Sequence, residues 1–118
     1  MTDNINHPRH YTGRDIGYEC IDLTQYQSFC VGNAIKYLWR YKDKGNPAED
    51  LEKARWYAIK ASTMQATVDV ETGDCRTILL RLVASTSGYE SAAWAGLLWG
   101  KWNIVLSALD MMLEGDKE

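Results

Sequence analysis

Residues 32–57 read GNAIKYLWRYKDKGNPAEDLEKARWY, and this stretch decides the fold. Gly45 is the kind of residue that ends a helix, and Asn46 directly after it is a favourable N-cap. Pro47 suits the first helical position, where its missing N–H costs nothing, and Glu49 can reach back to the cap. The stretch therefore predicts two consecutive helices, one over residues 28–43 and one over residues 47–68.

The segments on either side also predict helices. A short apolar segment over residues 18–26 fits about two helical turns, and residues 74–85 place their large aliphatic side chains on one side. Ser87 and Glu90 have the spacing of a capping box, which opens a long last helix that ends near residue 113. No alternating apolar and polar run is long enough for a strand.

Together these signals predict an all-α fold, a small bundle of about five helices with an irregular N-terminal arm over residues 1–17. A chain of 118 residues makes a single domain, residues 1–118, and its modest length makes a shared core in an oligomer plausible. Three cysteines without CxxC spacing suggest neither a disulfide framework nor a metal knuckle.

Charge and hydropathy restrict the partners. The net charge of −3 argues against a general nucleic-acid binder, and no apolar run is long enough to span a membrane. The N-terminal residues lack the apolar segment of a signal peptide. We therefore expect a soluble cytoplasmic protein without nucleic-acid or membrane partners. Any anionic ligand should contact the first half of the chain, because residues 69–118 are strongly acidic.

The last predicted helix is apolar over a broad arc. A helix in so small a monomer has few neighbours to cover that arc, so we expect a homo-oligomer through residues 89–113. Trp94, Trp99 and Trp102 are the expected anchors of that contact. The alternative is a central helix of the monomer's own bundle. Gly96 and Gly100 resemble part of a phosphate-binding loop but lack its spacing and its strand, and they more simply permit close helix packing.

The polar residues of the second helix form one stripe. Asn33, Lys36, Tyr37, Arg40 and Lys44 recur at the spacing of a single helical face. An amide, a phenol and three cations on one face would suit an anionic ligand. Periodicity alone leaves open the alternative of a solvated face with ordinary ion pairs.

The N-terminal arm holds a second polar group. His7, His10 and Tyr11 lie close together in sequence, and their imidazoles and phenol could contact a bound anion or base. Two histidines separated by a proline are a poor start for a metal site, and no third ligand has suitable spacing, so no metal site is predicted. An arm with incidental histidines is the remaining alternative.

These residues belong to a wider resemblance. Five blocks in order resemble the signature of a small, mainly phage-encoded family, often called SaV-like and catalogued as a domain of unknown function. The blocks are His7-Pro8-x-His10-Tyr11, Glu19-x-Ile21-Asp22, Phe29-x-x-Gly32-Asn33-x-x-Lys36-Tyr37-x-x-Arg40, Lys44-Gly45 and Asp50-Leu51-x-Lys53-Ala54-x-x-Tyr57. They cover residues 7–60, and the helical half over residues 69–118 is left for packing and assembly.

The resemblance implies a nucleotide ligand. Similarity to the nucleotide kinase of T-odd coliphages implies phosphorylation of deoxynucleoside monophosphates by an oligomer that has no phosphate-binding loop, with ATP as the possible phosphate donor. Lys36 and Arg40 would then be the catalytic cations, which stabilise charge on the transferring phosphoryl group. Asn33 would contact phosphate or base. His7, His10 and Tyr11 would close the site in the cytoplasm of an infected host cell.

Other roles remain open at this point. Asp50 and Lys53 could orient the cations or hold a ribose hydroxyl, or they could form ordinary ion pairs. Magnesium is doubtful, because only Asp22 and Asp50 are candidate carboxylate ligands. A protein with the same cations but no turnover would instead act as a sponge that sequesters nucleotide signals of host immunity. A structural or inhibitory oligomer is a further alternative.

Overall fold

The computed structural model describes residues 14–43 and 45–116, which form six helices and no strand. The predicted all-α fold is confirmed. The helices are α1 (Cys20–Thr24), α2 (Phe29–Arg40), α3 (Pro47–Thr63), α4 (Cys75–Ser85), α5 (Gly88–Trp99) and α6 (Trp102–Asp116). Across this part of the chain no helix combines the length and the apolar character that crossing a bilayer requires.

The start of α3 follows the prediction at Asn46 and Pro47, whereas the Glu49 carboxylate lies near Lys53 and not at the cap. The side-chain oxygen of Asn46 accepts a hydrogen bond from the backbone N–H of Glu49 at 3.2 Å, and Pro47 is the first helical residue. The helix ends at Thr63, five residues before the predicted end. The chain reverses at Gln65, whose φ of 55° is unusual outside glycine, and Ala66 donates its N–H to Ala61 O at 2.8 Å. No glycine marks this stop in the sequence.

The prediction of one long last helix over residues 87–113 is wrong. Gly100 adopts a left-handed conformation with φ 69°, and its N–H and that of Lys101 bond back to carbonyls in the last turn of α5. This is the usual glycine C-cap, which ends α5 and lets the chain turn into α6. The C-terminal half therefore contains two packed helices in place of one.

Gly96 explains how closely these two helices pack. A Cβ at residue 96 would lie 2.8 Å from Val105 Cγ2 and 3.0 Å from Val105 N. Only glycine leaves room for the backbone of α6 at this point. The prediction that a small residue at position 96 permits close packing is confirmed, whereas Gly100 serves to end the helix.

The hydrophobic core contains side chains from every helix of the described chain. Fully buried side chains come from all six helices and include Leu23, Trp39, Leu51, Leu79, Trp94 and Leu109. Trp39 and Trp94 meet edge to face with ring centroids 6.3 Å apart.

This core also corrects the expected role of the tryptophans. Trp94 is buried within the chain, and Trp102 is half-buried and donates its indole N–H to Ala66 O at 2.8 Å. Trp94 is therefore not free to anchor another subunit, and Trp102 exposes only part of its surface. Trp99 alone of the three is mainly exposed, at 70%.

Candidate functional site

The polar stripe of α2 lies opposite the face that packs into the core. Val31, Ile35 and Leu38 are buried on one side of the helix. Phe29, Asn33, Lys36 and Arg40 recur at helical spacing on the other. Four of the five predicted stripe residues, Asn33, Lys36, Tyr37 and Arg40, therefore lie on α2 away from the core, and α3 packs beside them. The fifth, Lys44, lies outside the described residues.

We define the α2–α3 face by the residues that these two helices bring together. Tyr37 on α2 stacks on Tyr57 of α3, with ring centroids 6.0 Å apart and planes 10° from parallel. The face consists of Phe29, Asn33, Lys36, Tyr37 and Arg40 from α2, and of Asp50, Lys53, Trp56 and Tyr57 from α3.

Three cations surround the ring of Tyr37. Lys36 Nζ lies 4.5 Å from the ring centroid, Arg40 Cζ 5.0 Å and Lys53 Nζ 5.4 Å. Each is within the range of a cation–π contact, so the electron-rich ring helps to hold three like charges near one another. The result is a local concentration of positive charge on an otherwise acidic protein.

Two of these cations also contact carboxylates. Arg40 Nε lies 3.4 Å from Asp50 Oδ2, and Asp50 is buried. Lys53 Nζ lies 3.8 Å from Glu49 Oε2 across one helical turn. Lys36 has no such carboxylate among the described residues. The ordinary ion-pair interpretation thus applies to Arg40, Asp50 and Lys53, and within residues 14–43 and 45–116 it does not apply to Lys36.

The other end of the face is aromatic. Phe29 is 73% exposed and Trp56 is 55% exposed, and both rings meet Tyr57 edge-on, with centroids 5.9 Å and 5.0 Å from it. Lys60 Nζ lies 5.3 Å from the Trp56 ring. Large aromatic rings that remain this exposed are available to stack on a flat ligand.

Asn33 lies between the two ends. Its Nδ2 donates a hydrogen bond to Phe29 O one turn earlier, at 2.9 Å. That bond fixes the amide, and the amide oxygen makes no hydrogen bond within residues 14–43 and 45–116. Asn33 can therefore accept a hydrogen bond from a ligand N–H or O–H.

The structure brings together six of the predicted site residues, which are Asn33, Lys36, Tyr37, Arg40, Asp50 and Lys53. The other four, His7, His10, Tyr11 and Lys44, lie outside the described residues. Asp22 has a structural contact, because its Oδ2 accepts the backbone N–H of Glu19 at 2.8 Å at the start of α1. Over the described parts of the chain, no three acidic, histidine or cysteine side chains gather into a metal site.

A buried thiol lies within electrostatic range of the α2 cations. Burial raises the pKa of Cys20 to about 12, although the positive charge of Lys36 acts in the opposite direction. The thiol is therefore protonated at neutral pH and is a poor nucleophile. Cys20 is a core residue here.

A second polar cluster, which the sequence analysis missed, surrounds Glu90. Its buried carboxylate accepts hydrogen bonds from Tyr41 Oη at 2.8 Å and Trp94 Nε1 at 3.1 Å. Arg14 Nη2 lies 2.6 Å and Lys42 Nζ 3.3 Å from its two oxygens. The interpretation of Glu90 as part of a capping box is therefore wrong, because its side chain turns into the core.

The charge state of Glu90 follows from these contacts. Burial acts to raise its pKa, but the charge of Arg14 and the hydrogen bonds from Trp94 and Tyr41 outweigh it, so the pKa is lowered overall. Burial and the bond to Glu90 raise the pKa of Tyr41, which keeps that phenol a donor. The cluster is an ionised carboxylate with its donors in place.

Arg14 connects this cluster to α2. Its Nε donates to Trp39 O at 2.9 Å and its Nη2 to Leu38 O at 3.1 Å, which satisfies two carbonyls at the end of that helix. Its guanidinium also lies 5.4 Å from the Trp94 ring. One sequence signal could have pointed to this cluster, since Glu90 is the single charged residue in the α5 sequence GYESAAWAGLLW.

One known protein family matches the part of the chain that carries the predicted site residues. Residues 5–59 match the model of a family described as a protein of unknown function, DUF3310. No curated protein and no solved structure matches the chain. The matched segment contains every predicted site residue and ends before α4. Its position agrees with that of the five sequence blocks, and the description of the family names no ligand. The chain therefore carries a DUF3310 domain of unknown function at residues 5–59.

Proposed function

We propose that the α2–α3 face binds a nucleotide. The observation that carries the proposal is the group of three cations around Tyr37, next to the exposed rings of Phe29 and Trp56. A nucleotide has the same two parts, an anionic phosphate and a flat aromatic base. The cationic end of the face would hold the phosphate and the aromatic end would hold the base.

The charge of the cationic end favours a ligand with few phosphates. Lys36, Arg40 and Lys53 contribute three positive charges, and Asp50 and Glu49 within ion-pair distance offset two of them. A single phosphate group carries about −1.5 to −2 charges at neutral pH, and each further phosphate adds more. A net charge near +1 therefore matches a nucleoside monophosphate better than a triphosphate.

The spacing along α2 fits the two-part ligand. Phe29 and Lys36 are seven residues apart, which corresponds to roughly 10 Å along a helix. Asn33 lies between them, where the amide oxygen can accept a hydrogen bond from a ribose hydroxyl or a base amino group. Stacking of a base on an aromatic side chain contributes about 1–3 kcal/mol.

Binding has more support than phosphoryl transfer. A kinase reaction would use Lys36 and Arg40 as electrostatic clamps, with ATP as the donor. It would also benefit from a carboxylate beside the phosphates for magnesium, but Asp50 is buried against Arg40 and Asp22 bonds the start of α1. A nucleotide-binding protein without turnover would sequester its ligand, which is the sponge alternative.

Titration calorimetry with nucleosides, nucleoside monophosphates and triphosphates tests the binding proposal. We expect measurable binding of monophosphates, weaker binding of triphosphates and none of the free nucleosides. Incubation with ATP and each deoxynucleoside monophosphate, followed by chromatography, then separates transfer from sequestration. New diphosphate shows a kinase, whereas tight binding with unchanged nucleotide shows a sponge. Absence of binding at millimolar nucleotide would exclude both.

Substitution of Lys36 tests the location. Lys36→Ala removes the cation that has no carboxylate partner among the described residues. We expect the Kd for a bound monophosphate to rise at least about tenfold, since a hydrogen bond to a charged group contributes about 1.5–3 kcal/mol. Phe29→Ala should weaken the same ligand through lost stacking. Lys101→Ala, an exposed lysine between α5 and α6, is the matched control. Equal affinities of all three variants would place the ligand elsewhere.

A further inference from the structure

A groove between α3 and α6 begins at the aromatic end of the α2–α3 face. Its cavity, of about 450 Å³, is lined by Glu52, Arg55, Trp56, Ile59, Asp110, Leu113 and Glu114. We call this the α3–α6 groove. Trp56 belongs to both surfaces, because its ring contacts Tyr57 edge-on and its side chain also lines the groove. A ligand on the α2–α3 face can therefore continue into the groove.

The groove has the size and the apolar wall of a small-molecule site. Its volume of about 450 Å³ falls within the range of about 300–1,000 Å³ that such sites occupy. Trp56 is 55% exposed and Ile59 is 37% exposed, and Leu113 adds a partly buried aliphatic side chain. Lys60 lies against the Trp56 ring, yet more than half of that side chain stays accessible. A flat base can therefore stack on Trp56 from the groove.

The charges of the groove disfavour a phosphate. Arg55 forms an ion pair with Asp110, whereas Glu52 and Glu114 form none among the described residues. The lining is therefore negative, with three carboxylates and one guanidinium. Carboxylates accept hydrogen bonds from ribose hydroxyls and from base amino groups. The groove suits an uncharged nucleoside, and any phosphate would remain at the cationic end of the α2–α3 face.

We propose that the α3–α6 groove is a second nucleoside site, and that the full ligand is a dinucleotide whose two nucleosides are joined by one phosphodiester. This inference rests on the proposed nucleotide binding of the α2–α3 face. The first base stacks on Phe29, and the cations around Tyr37 hold the phosphate. The second base stacks on Trp56, and its ribose faces the carboxylates of the groove.

Spacing and charge both fit such a ligand. Lys53 is one of the three cations around Tyr37, and Trp56 follows it by three residues, which is roughly 4.5 Å along a helix. Phe29 and Trp56 each contact Tyr57, so the two bases would lie near one another beside that ring. A phosphodiester carries a single negative charge. The three cations and their two carboxylate partners leave a net charge of the opposite sign to offset it.

Titration calorimetry with two ligands that differ in the second nucleoside tests the inference. The first ligand is ApA, two adenosines joined by one phosphodiester, and the second is the methyl ester of AMP, which keeps the charge and one base. We expect ApA to bind about tenfold more tightly, the effect of one additional stack of a base on an aromatic ring. Equal affinities would overturn the second site and leave the binding proposal standing. No binding of either ligand, or of AMP itself, would overturn both.

Three alanine variants locate the two bases. Trp56→Ala should lower the affinity for ApA about tenfold and leave the affinity for the methyl ester unchanged. Phe29→Ala should weaken both ligands. Tyr89→Ala removes a comparably exposed ring of α5 that lies in neither surface, so it should weaken neither. Equal loss of both ligands in Trp56→Ala would show one base on Trp56 and would overturn the second site.

Methyl resonances of the unmodified chain give a test that does not depend on how the alanine variants fold. The Cδ1 signal of Ile59, assigned by its absence from the spectrum of Ile59→Val, should shift with ApA and stay in place with the methyl ester. Ile104, a comparably exposed isoleucine of α6 outside the groove, is the control and should move with neither ligand. A shift of Ile59 with both ligands, or with neither, would contradict a second nucleoside in the groove.

Discussion

At the residue scale, Glu90 shows how one carboxylate can join distant parts of the chain. Its carboxylate accepts hydrogen bonds from Tyr41, in the turn after α2, and from Trp94, in its own helix. It also forms ion pairs with Lys42, in the same turn, and with Arg14, in the segment before α1. A buried carboxylate is costly unless its charge is paired and its oxygens accept hydrogen bonds, and here both conditions are met. Loss of the charge would leave the partly buried Arg14 guanidinium without its carboxylate partner.

We therefore expect Glu90→Gln to lower the free energy of unfolding by about 3 kcal/mol at pH 7, the usual cost of removing one partner of a buried ion pair. The pKa of Glu90 is lowered in the folded state, so the folded chain binds fewer protons than the unfolded chain. This contribution is present above the unfolded pKa of about 4.3 and is lost as the pH falls through the folded value. The difference between the variant and the unmodified chain should shrink accordingly.

Urea unfolding at pH 7 and at successively lower pH measures that difference. Glu114→Gln, at an exposed carboxylate, is the control and should change little at any pH. A Glu90→Gln difference that stayed constant down to pH 3 would show that the ionised carboxylate is not what stabilises the cluster.

Arg40 and Lys36 lie one turn apart on α2, and their effects on stability should differ. Arg40→Ala would leave the buried Asp50 carboxylate unpaired, with an expected cost of about 3 kcal/mol. Lys36→Ala removes no ion pair within the described residues and should stay within about 0.5 kcal/mol. Denaturant midpoints of the two variants check this, and similar losses would contradict it. Binding by an Arg40→Lys variant is the safer measure of the role of Arg40 in a ligand site.

At the scale of helices, local signals predicted starts better than ends. Asn46 and Pro47 act through the next few residues, so their effect could be predicted from the sequence alone. Gln65 ends α3 without a glycine, and Gly100 ends α5 after the apolar residues Leu97, Leu98 and Trp99. The end of α3 therefore has no glycine signal in the sequence, whereas the end of α5 has one in Gly100.

The same distinction applies to the candidate site. Asn33, Lys36, Tyr37 and Arg40 lie on one helix, and periodicity was enough to group them. The contribution of Trp56 depends on how α3 lies beside α2, and that of Arg14 depends on Glu90 far along the chain. Contacts between elements leave no periodic pattern in a single sequence, which is why the aromatic end and the Glu90 cluster were not predicted.

The two glycines of the α5–α6 hairpin should respond differently to alanine. Gly96→Ala places a methyl group 3.0 Å from the backbone nitrogen of Val105, which cannot move aside without shifting α6. We expect a loss of about 1–3 kcal/mol, as for other overpacked sites. Gly100→Ala has open space but a left-handed backbone, with an expected cost of about 1 kcal/mol. Thermal unfolding checks the order, and a more damaging Gly100→Ala would contradict the close approach.

At the scale of the whole molecule, the core joins the segment that matches DUF3310 to the helices beyond it. Trp39 of α2 packs against Trp94 of α5, Tyr41 donates to Glu90, and Arg55 of α3 contacts Asp110 of α6. The first half would expose part of Trp39 if it stood alone, because Trp94 of α5 packs against that ring. A segment of that size also buries too small a fraction of its surface to fold readily alone.

We therefore expect the full chain to unfold in one cooperative transition, and a fragment of residues 1–68 to remain unfolded. Circular dichroism during heating measures both, with a sigmoidal loss of helix for the full chain and a gradual, low-amplitude change for the fragment. Addition of a fragment of residues 69–118 should restore helix to the first fragment, because it returns Trp94 and Glu90 to their partners. Cooperative melting of residues 1–68 alone would show that the matched segment has a core of its own, and would divide the chain into two domains.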